Sequence, residues 1–173
     1  MSATISRLEA EGRDLIRLDV GNPDLPPHPD IVATLREQAL RPDVHGYGGL
    51  SGEAGLESAI AEYYQRRFGV ELDPGSQVLA LLGSKEGIGC AALAFVDPGD
   101  AVLIPEPAYP TYRSGTLFAG GVVEAIPLRP ENDYLPSLGD IPADALEGAK
   151  LLWLNYPHNP TGATATLALF EEA

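Results

Sequence analysis

The sequence predicts an α/β protein with a mostly parallel sheet flanked by helices, and three observations carry that prediction. Short apolar runs, at 78–82, 101–104, 122–126 and 151–154, recur as candidate strands. Stretches with apolar residues at three-to-four spacing separate them, as crossover helices between parallel strands do. Turn residues mark the changes of period, at Asp73-Pro74-Gly75, Asp97-Pro98-Gly99 and Gly120-Gly121.

Taken in order, Met1 to Asp19 is polar with scattered Ile5, Leu8, Leu15, Ile16 and Leu18, which predicts an arm with a short helix and a strand-like lead-in. Four prolines follow within seven residues, Pro23 to Pro29, and hold the chain extended. From about Asp30, the residues Ile31, Val32, Leu35, Ala39 and Leu40 share one helical side until Arg41-Pro42-Asp43 stops it. The Gly-rich loop at 44–52 carries Tyr47 in its middle, and Ser51 is a candidate cap for a helix over 52–68. Leu56, Ala59, Ile60, Tyr63 and Tyr64 give that helix its period, and Arg66 and Arg67 suit its C-terminal end. A strand over 78–82 then leads into a helix over 85–95 with Ile88, Ala91, Ala92 and Phe95 inward. Beyond the strand at 101–104, a helix runs from about Tyr109 to Gly120, and after the strand at 122–126 a short helix covers Ala143 to Glu147. The strand at 151–154 runs into Asn155 to Gly162, and a last helix is expected to begin near 163–166.

Composition narrows the partners. With 25 acids against 11 bases the net charge is -14, which argues against nucleic acid or an anionic membrane as the main partner. The single cysteine, Cys90, is expected to be a small buried side chain. No intrachain disulfide framework exists, which fits a reducing cytoplasm. No apolar run is long enough to span a bilayer, so a soluble protein is expected. His28, His45 and His158 have no acidic or cysteine partners at ligand spacing, and no metal site is predicted.

In a parallel sheet, ligands bind at the carboxyl ends of the strands. Three unusual loops fall there: Gly83-Ser84-Lys85, Pro107-Ala108-Tyr109, and Asn155 to Gly162. At a helix start the first N–H groups lack intrahelical partners, so the Ser84 hydroxyl, the Ser84 and Lys85 amides and the Lys85 ammonium can surround a phosphate. The bland alternative is a plain capped turn. Neither the dinucleotide fingerprint nor the Walker loop is present. An anion-binding turn, an aromatic platform and a carboxamide on one sheet edge suit a planar, phosphorylated ligand.

The motifs Val20-Gly21-Asn22-Pro23-Asp24, Tyr47 to Gly52, Gly83-Ser84-Lys85-Glu86, Pro107 to Tyr112 and His158-Asn159-Pro160-Thr161-Gly162, in this order, resemble the class I/II aminotransferases. These are pyridoxal-phosphate enzymes of fold type I, and Gly-Ser-Lys-Glu is most similar to the diaminopimelate and alanine aminotransferase branch. The resemblance implies an incomplete large domain of that fold. Residues 1–43 would be an arm and part of the small domain, and residues 44–173 the N-terminal part of the cofactor-binding large domain. Ser84 and Lys85 would hold the phosphate of pyridoxal 5'-phosphate, Tyr109 would stack on its ring, and Asn159 would donate to the ring hydroxylate. Pro160, Thr161 and Gly162 would hold Asn159 in place. Gly21 would meet the substrate carboxylate, and Tyr47 would reach the phosphate in the partner subunit's site of a homodimer. Taken singly, Tyr109 reads as a packing aromatic, Asn159-Pro160 as a turn and Tyr47 as a cover for its loop. His158 is not expected to be catalytic.

Transamination needs a lysine to hold the cofactor aldehyde and move the proton. The chain has two lysines: Lys85, given to the phosphate turn, and Lys150, at the wrong end of its strand. The resemblance puts the Schiff-base lysine beyond residue 173, along with the aspartate for the ring nitrogen and the arginine for the substrate carboxylate. No catalytic residue is therefore expected within the chain. The parent would move an amino group between an amino acid and a 2-oxo acid, and the 173-residue chain alone is expected to be inactive. A non-catalytic fragment or interaction module, and another lyase or decarboxylase of the same scaffold, are the alternatives. Substrate preference is not ranked by these residues.

Overall fold

The structure, a computed structural model, describes residues 2–17, 21, 23–47 and 54–173. The chain forms two compact units, Met1–Gly49 and Leu50–Ala173. Ser51, Val20, Asn22 and the end of the Gly-rich loop, singled out in the sequence, lie outside the described residues.

The first unit holds helices α1 (Ser2–Ala10) and α2 (Pro29–Gln38), neither of which buries a residue. Pro29 opens α2, where its missing N–H costs nothing, and the His28 Nδ1 accepts the Asp30 N–H at 3.3 Å. The predicted apolar side of α2 is present but uncovered, with Ile31 and Leu35 exposed.

The second unit begins with α3 (Ala54–Phe68), ended by Gly69 at φ 70°. After a turn in which the Asp73 carboxylate accepts the Ser76 hydroxyl and the Gly75 N–H, the chain reaches α4 (Ser84–Phe95). A three-stranded parallel sheet follows in the order β2-β1-β3, with β1 at Ala101–Glu106, β2 at Val122–Pro127 and β3 at Ala149–Leu152. Helix α5 (Pro110–Phe118) connects β1 to β2, and α6 (Ala143–Glu147) precedes β3. Helix α7 (Leu167–Glu172) comes last. The central strand is buried from Val102 to Pro105, as expected for a strand with neighbours on both edges. Val96, Val102, Ile104 and Tyr112 form the core, with Ile88, Tyr109, Leu151 and Trp153 packed against it. Helices α4 and α5 meet through small residues: a Cβ added at Gly115 would sit 3.2 Å from the Ala92 Cβ and 3.7 Å from the Gly89 Cα.

The α/β class with a parallel sheet stands, with corrections at single elements. The expected strand over 78–82 does not form: among the described residues the sheet is three-stranded, and the run has no ladder partner in it. Leu79, Leu81 and Leu82 stay open to solvent, Leu82 at 95%, while Val78 and Ala80 are half-buried. Cys90 is exposed rather than buried, because α4 packs through Ile88 and Ala92 and turns Cys90 away; Phe95 is exposed too. The last helix starts at Leu167 instead of at 163–166, since the preceding loop engages Ala163 in its own hydrogen bonds and Thr166 is extended.

Candidate active site

Gly83 sets the geometry of the first loop. Its φ of 87° and ψ of 152° lie where only glycine is comfortable, and it opens α4 without any side-chain cap. The Glu86 carboxylate reaches back one turn and accepts the Leu82 N–H at 2.7 Å, which braces the turn from outside. Sequence reasoning gave Glu86 no role, although a glutamate three residues after a helix cap is a known capping signal. With the helix start uncapped, the N–H groups at Ser84 and Lys85 face an open approach, and the helix dipole favours an anion there. Lys85 lines a groove of about 330 Å³ with Pro110, Thr111 and Ser114, so the starts of α4 and α5 are neighbours.

The second loop leaves β1 through Pro107 and delivers Tyr109 to the start of α5, where Pro110 takes the first helical position. Tyr109 is half-buried, and its ring meets Tyr112 edge-on at 5.9 Å. Tyr112 stacks on Trp153 at 4.8 Å and 19°. The three rings join the exit of β1 to the exit of β3. Burial pushes the Tyr112 phenol up, reinforced by Tyr109, so it stays neutral at neutral pH. The sequence analysis assigned nothing to Tyr112 or Trp153; an aromatic just past an apolar strand is a signal shared by ordinary core residues.

The third loop carries Asn159, exposed, between buried His158 and half-buried Thr161. Its backbone closes tightly: the His158 N–H donates to the Ala163 carbonyl at 2.7 Å, and the Gly162 N–H to the His158 carbonyl at 2.7 Å. Gly162 has φ 76°, a left-handed turn that glycine adopts without strain. Tyr156 anchors the loop by donating its hydroxyl to the Tyr134 carbonyl at 3.0 Å.

Ser84, Lys85, Tyr109 and Asn159 thus belong to one compact unit, on loops whose supports share one core. Gly21 and Tyr47 belong to the other unit; both are exposed, Tyr47 completely. Lys150 sits early in β3 and is exposed, away from the carboxyl end where Asn159 is carried. Among the described residues no group of three or more His, Cys, Asp or Glu side chains could hold a metal ion, and no helix is long and apolar enough to cross a membrane.

The family model for aminotransferase class I and II matches residues 13–173. The chain belongs to this family. It is 48% identical over 173 residues to the LL-diaminopimelate aminotransferase of Dehalococcoides mccartyi, covering 100% of this chain and 45% of that relative. Among solved structures, apo-BacF from Bacillus subtilis is 42% identical with a TM-score of 0.92, covering 99% of this chain and 44% of that one. The alanine aminotransferase from Pyrococcus furiosus is 30% identical with a TM-score of 0.87, over 99% of this chain and 44% of that one. This aminotransferase-family chain therefore spans less than half the length of the relatives it matches. The resemblance drawn from its motifs holds, and the family's cofactor is pyridoxal 5'-phosphate.

Proposed function

We propose that this chain supplies the cofactor-holding part of a pyridoxal-phosphate-dependent aminotransferase that moves an amino group between an amino acid and a 2-oxo acid. The observation that carries the reading is the uncapped start of α4 at Gly83, in the same unit as the Tyr109 ring and the Asn159 carboxamide. A phosphorylated pyridine fits this donor set: free helix-start N–H groups and a hydroxyl for the phosphate, an aromatic face for the ring and a carboxamide for its oxygen. When bound, pyridoxal phosphate supplies the electron-withdrawing ring on which amino-group transfer depends. Ser84 and the first N–H groups of α4 hold the phosphate, and the Lys85 ammonium adds positive charge. Tyr109 covers one ring face and excludes water from it. Asn159 donates its side-chain N–H to the ring oxygen and fixes the tilt. Gly21 offers its backbone to the substrate carboxylate, and Tyr47 reaches the partner subunit's site in a cytoplasmic homodimer.

The test exploits Trp153, the one tryptophan in the sequence. Pyridoxamine 5'-phosphate, which has no aldehyde to react with surface lysines, is titrated into the purified chain while Trp153 fluorescence is followed. Saturable quenching is expected, with pyridoxamine lacking the phosphate far weaker. Ser84→Ala and Asn159→Ala should each weaken binding roughly tenfold, the worth of a hydrogen bond to a charged group. Quenching that is unsaturable, or blind to both substitutions, overturns the reading.

A second reading, a non-catalytic module that associates with a complementary chain, is favoured by the unpaired run at 78–82 with Leu79 and Leu82 exposed. Sedimentation over a range of concentrations tests it, and a monomer at every concentration argues against it.

A further inference from the structure

Trp153 follows β3 directly, and its N–H donates to the Leu103 carbonyl of β1 at 3.1 Å, so its backbone is fixed against the central strand. Its ring lies on Tyr112 at 4.8 Å between centroids and 19° between planes. Tyr112, 7% exposed, is packed in the core with Val96, Val102 and Ile104, and its ring meets that of Tyr109 at 5.9 Å and 74°. The Trp153 indole N–H is buried with no hydrogen-bond partner among the described residues. An orphaned donor costs stability that a phenylalanine at this place would not, so the indole is held by its broad face against Tyr112 and not by its polar edge. Tyr109 is half-buried and also lines a groove of about 500 Å³ with Glu106, Ala108 and Arg113. Its ring is therefore backed by Tyr112 on one side and open on another.

We propose that Tyr112 is a positioning residue: clamped flat against Trp153, it sets the angle at which the Tyr109 ring is presented to a planar ligand. The path is continuous, from the Leu103 carbonyl through the Trp153 backbone and indole to Tyr112 and then Tyr109, and it crosses from the exit of β3 to the exit of β1. Stacked and edge-on ring pairs each have preferred angles, so the tilt of one ring constrains the next. Without Tyr112 the Tyr109 ring is left to its own side-chain torsions, of which the outer one is broad. The value of that angle for binding rests on the cofactor reading above; the platform itself does not.

The experiment uses the chain with 13C-labelled tyrosine rings, the Tyr109 signals being assigned with Tyr109→Phe. In the unsubstituted chain the Tyr112 ring protons should show Overhauser contacts to both Trp153 and Tyr109. Among the described residues no ring contact joins Trp153 to Tyr109 directly. Trp153→Leu should nonetheless move the Tyr109 ring signals toward those of free tyrosine, and Trp153→Phe should return them most of the way. Tyr112→Leu should weaken pyridoxamine 5'-phosphate binding roughly fivefold, the order of an aromatic pair, while Tyr112→Phe matches the parent. Affinity for inorganic phosphate, which has no ring, should be the same in the parent and both Tyr112 variants when read at the Ser84 and Lys85 amide resonances. Missing Overhauser contacts, unmoved Tyr109 signals in Trp153→Leu, or equal losses of pyridoxamine phosphate and phosphate affinity in Tyr112→Leu would each overturn the proposal. So would a Tyr112→Phe variant that binds pyridoxamine phosphate no better than Tyr112→Leu. Should a leucine variant fail to fold, the Overhauser contacts and the parent-like affinity of Tyr112→Phe still decide it. If the unsubstituted chain binds no pyridoxamine phosphate, the cofactor reading fails while the Tyr109 signals still test the platform.

Discussion

Two glycine-to-alanine substitutions six residues apart should change stability in opposite directions. Gly83 sits at φ 87° and ψ 152°, and a Cβ there would meet nothing within 4 Å. No steric neighbour therefore contributes, and the whole cost of Gly83→Ala is backbone strain, about 1–3 kcal/mol for a region that is essentially glycine-only. Gly89 lies inside α4, and its added Cβ also meets open space. Gly89→Ala should therefore stabilise the helix by about 0.5–1 kcal/mol, because alanine loses less backbone entropy on folding. With a urea slope of about 2 kcal/mol per molar, a 2 kcal/mol loss lowers the unfolding midpoint by about 1 M. Urea titrations followed by circular dichroism measure both variants. A Gly83→Ala midpoint at or above that of the parent would refute the argument that this turn depends on the glycine conformation. So would a Gly89→Ala midpoint well below it.

Three further outcomes follow from the packing and the charges. A Cβ added at Gly121 would fall 2.6 Å from the Val96 Cγ1 and 3.1 Å from the Asp100 carbonyl, so Gly121→Ala should cost about 1–3 kcal/mol in thermal melts. Removing Val96 Cγ1 in a Gly121→Ala/Val96→Ala pair should make the two losses less than additive. Ile104 is 1% exposed and packs with Tyr112 in the core, and Ile104→Ala should destabilise by about 2–5 kcal/mol in urea titration, a large share of a domain's ordinary stability. His158 has its pKa lowered from 6.5 by burial, so the unfolded chain binds a proton first as pH falls. Its contribution is complete above pH 6.5 and is lost as pH falls through the folded value, and His158→Gln should flatten that part of the pH–stability profile.

Periodicity made most of the second unit legible. The alternation of apolar runs and three-to-four spacing foretold β1, β2, β3 and the helices between them, because each element buries one face against the next. The run at 78–82 shows the limit of that signal. Its residues read as a strand because periodicity reports which side chains favour burial, whereas a strand also needs a neighbour to exchange hydrogen bonds with. The chain spans less than half of its relatives' length, and among the described residues that neighbour is absent. Cys90 and Phe95 failed for a related reason: helical period gives a face but not its width, and α4 meets α5 through glycine and alanine on a narrow strip. Ser84, Lys85, Tyr109 and Asn159 drew attention because each occupies a motif of the family, and all four fall in one compact unit. His158 stood inside such a motif, yet its burial depends on how the whole unit packs around its loop, which no local pattern reveals. Glu86 was legible in principle from its spacing to the helix start.

The most direct measurement is an amide-resonance map of the 15N-labelled chain titrated with pyridoxamine 5'-phosphate. Saturable shifts are expected at Gly83 to Lys85, Ala108 to Tyr112 and His158 to Gly162, three segments far apart in sequence that move with one dissociation constant. Shifts scattered over the surface, or confined to one of the three segments, would contradict the claim that these loops form a single cofactor site.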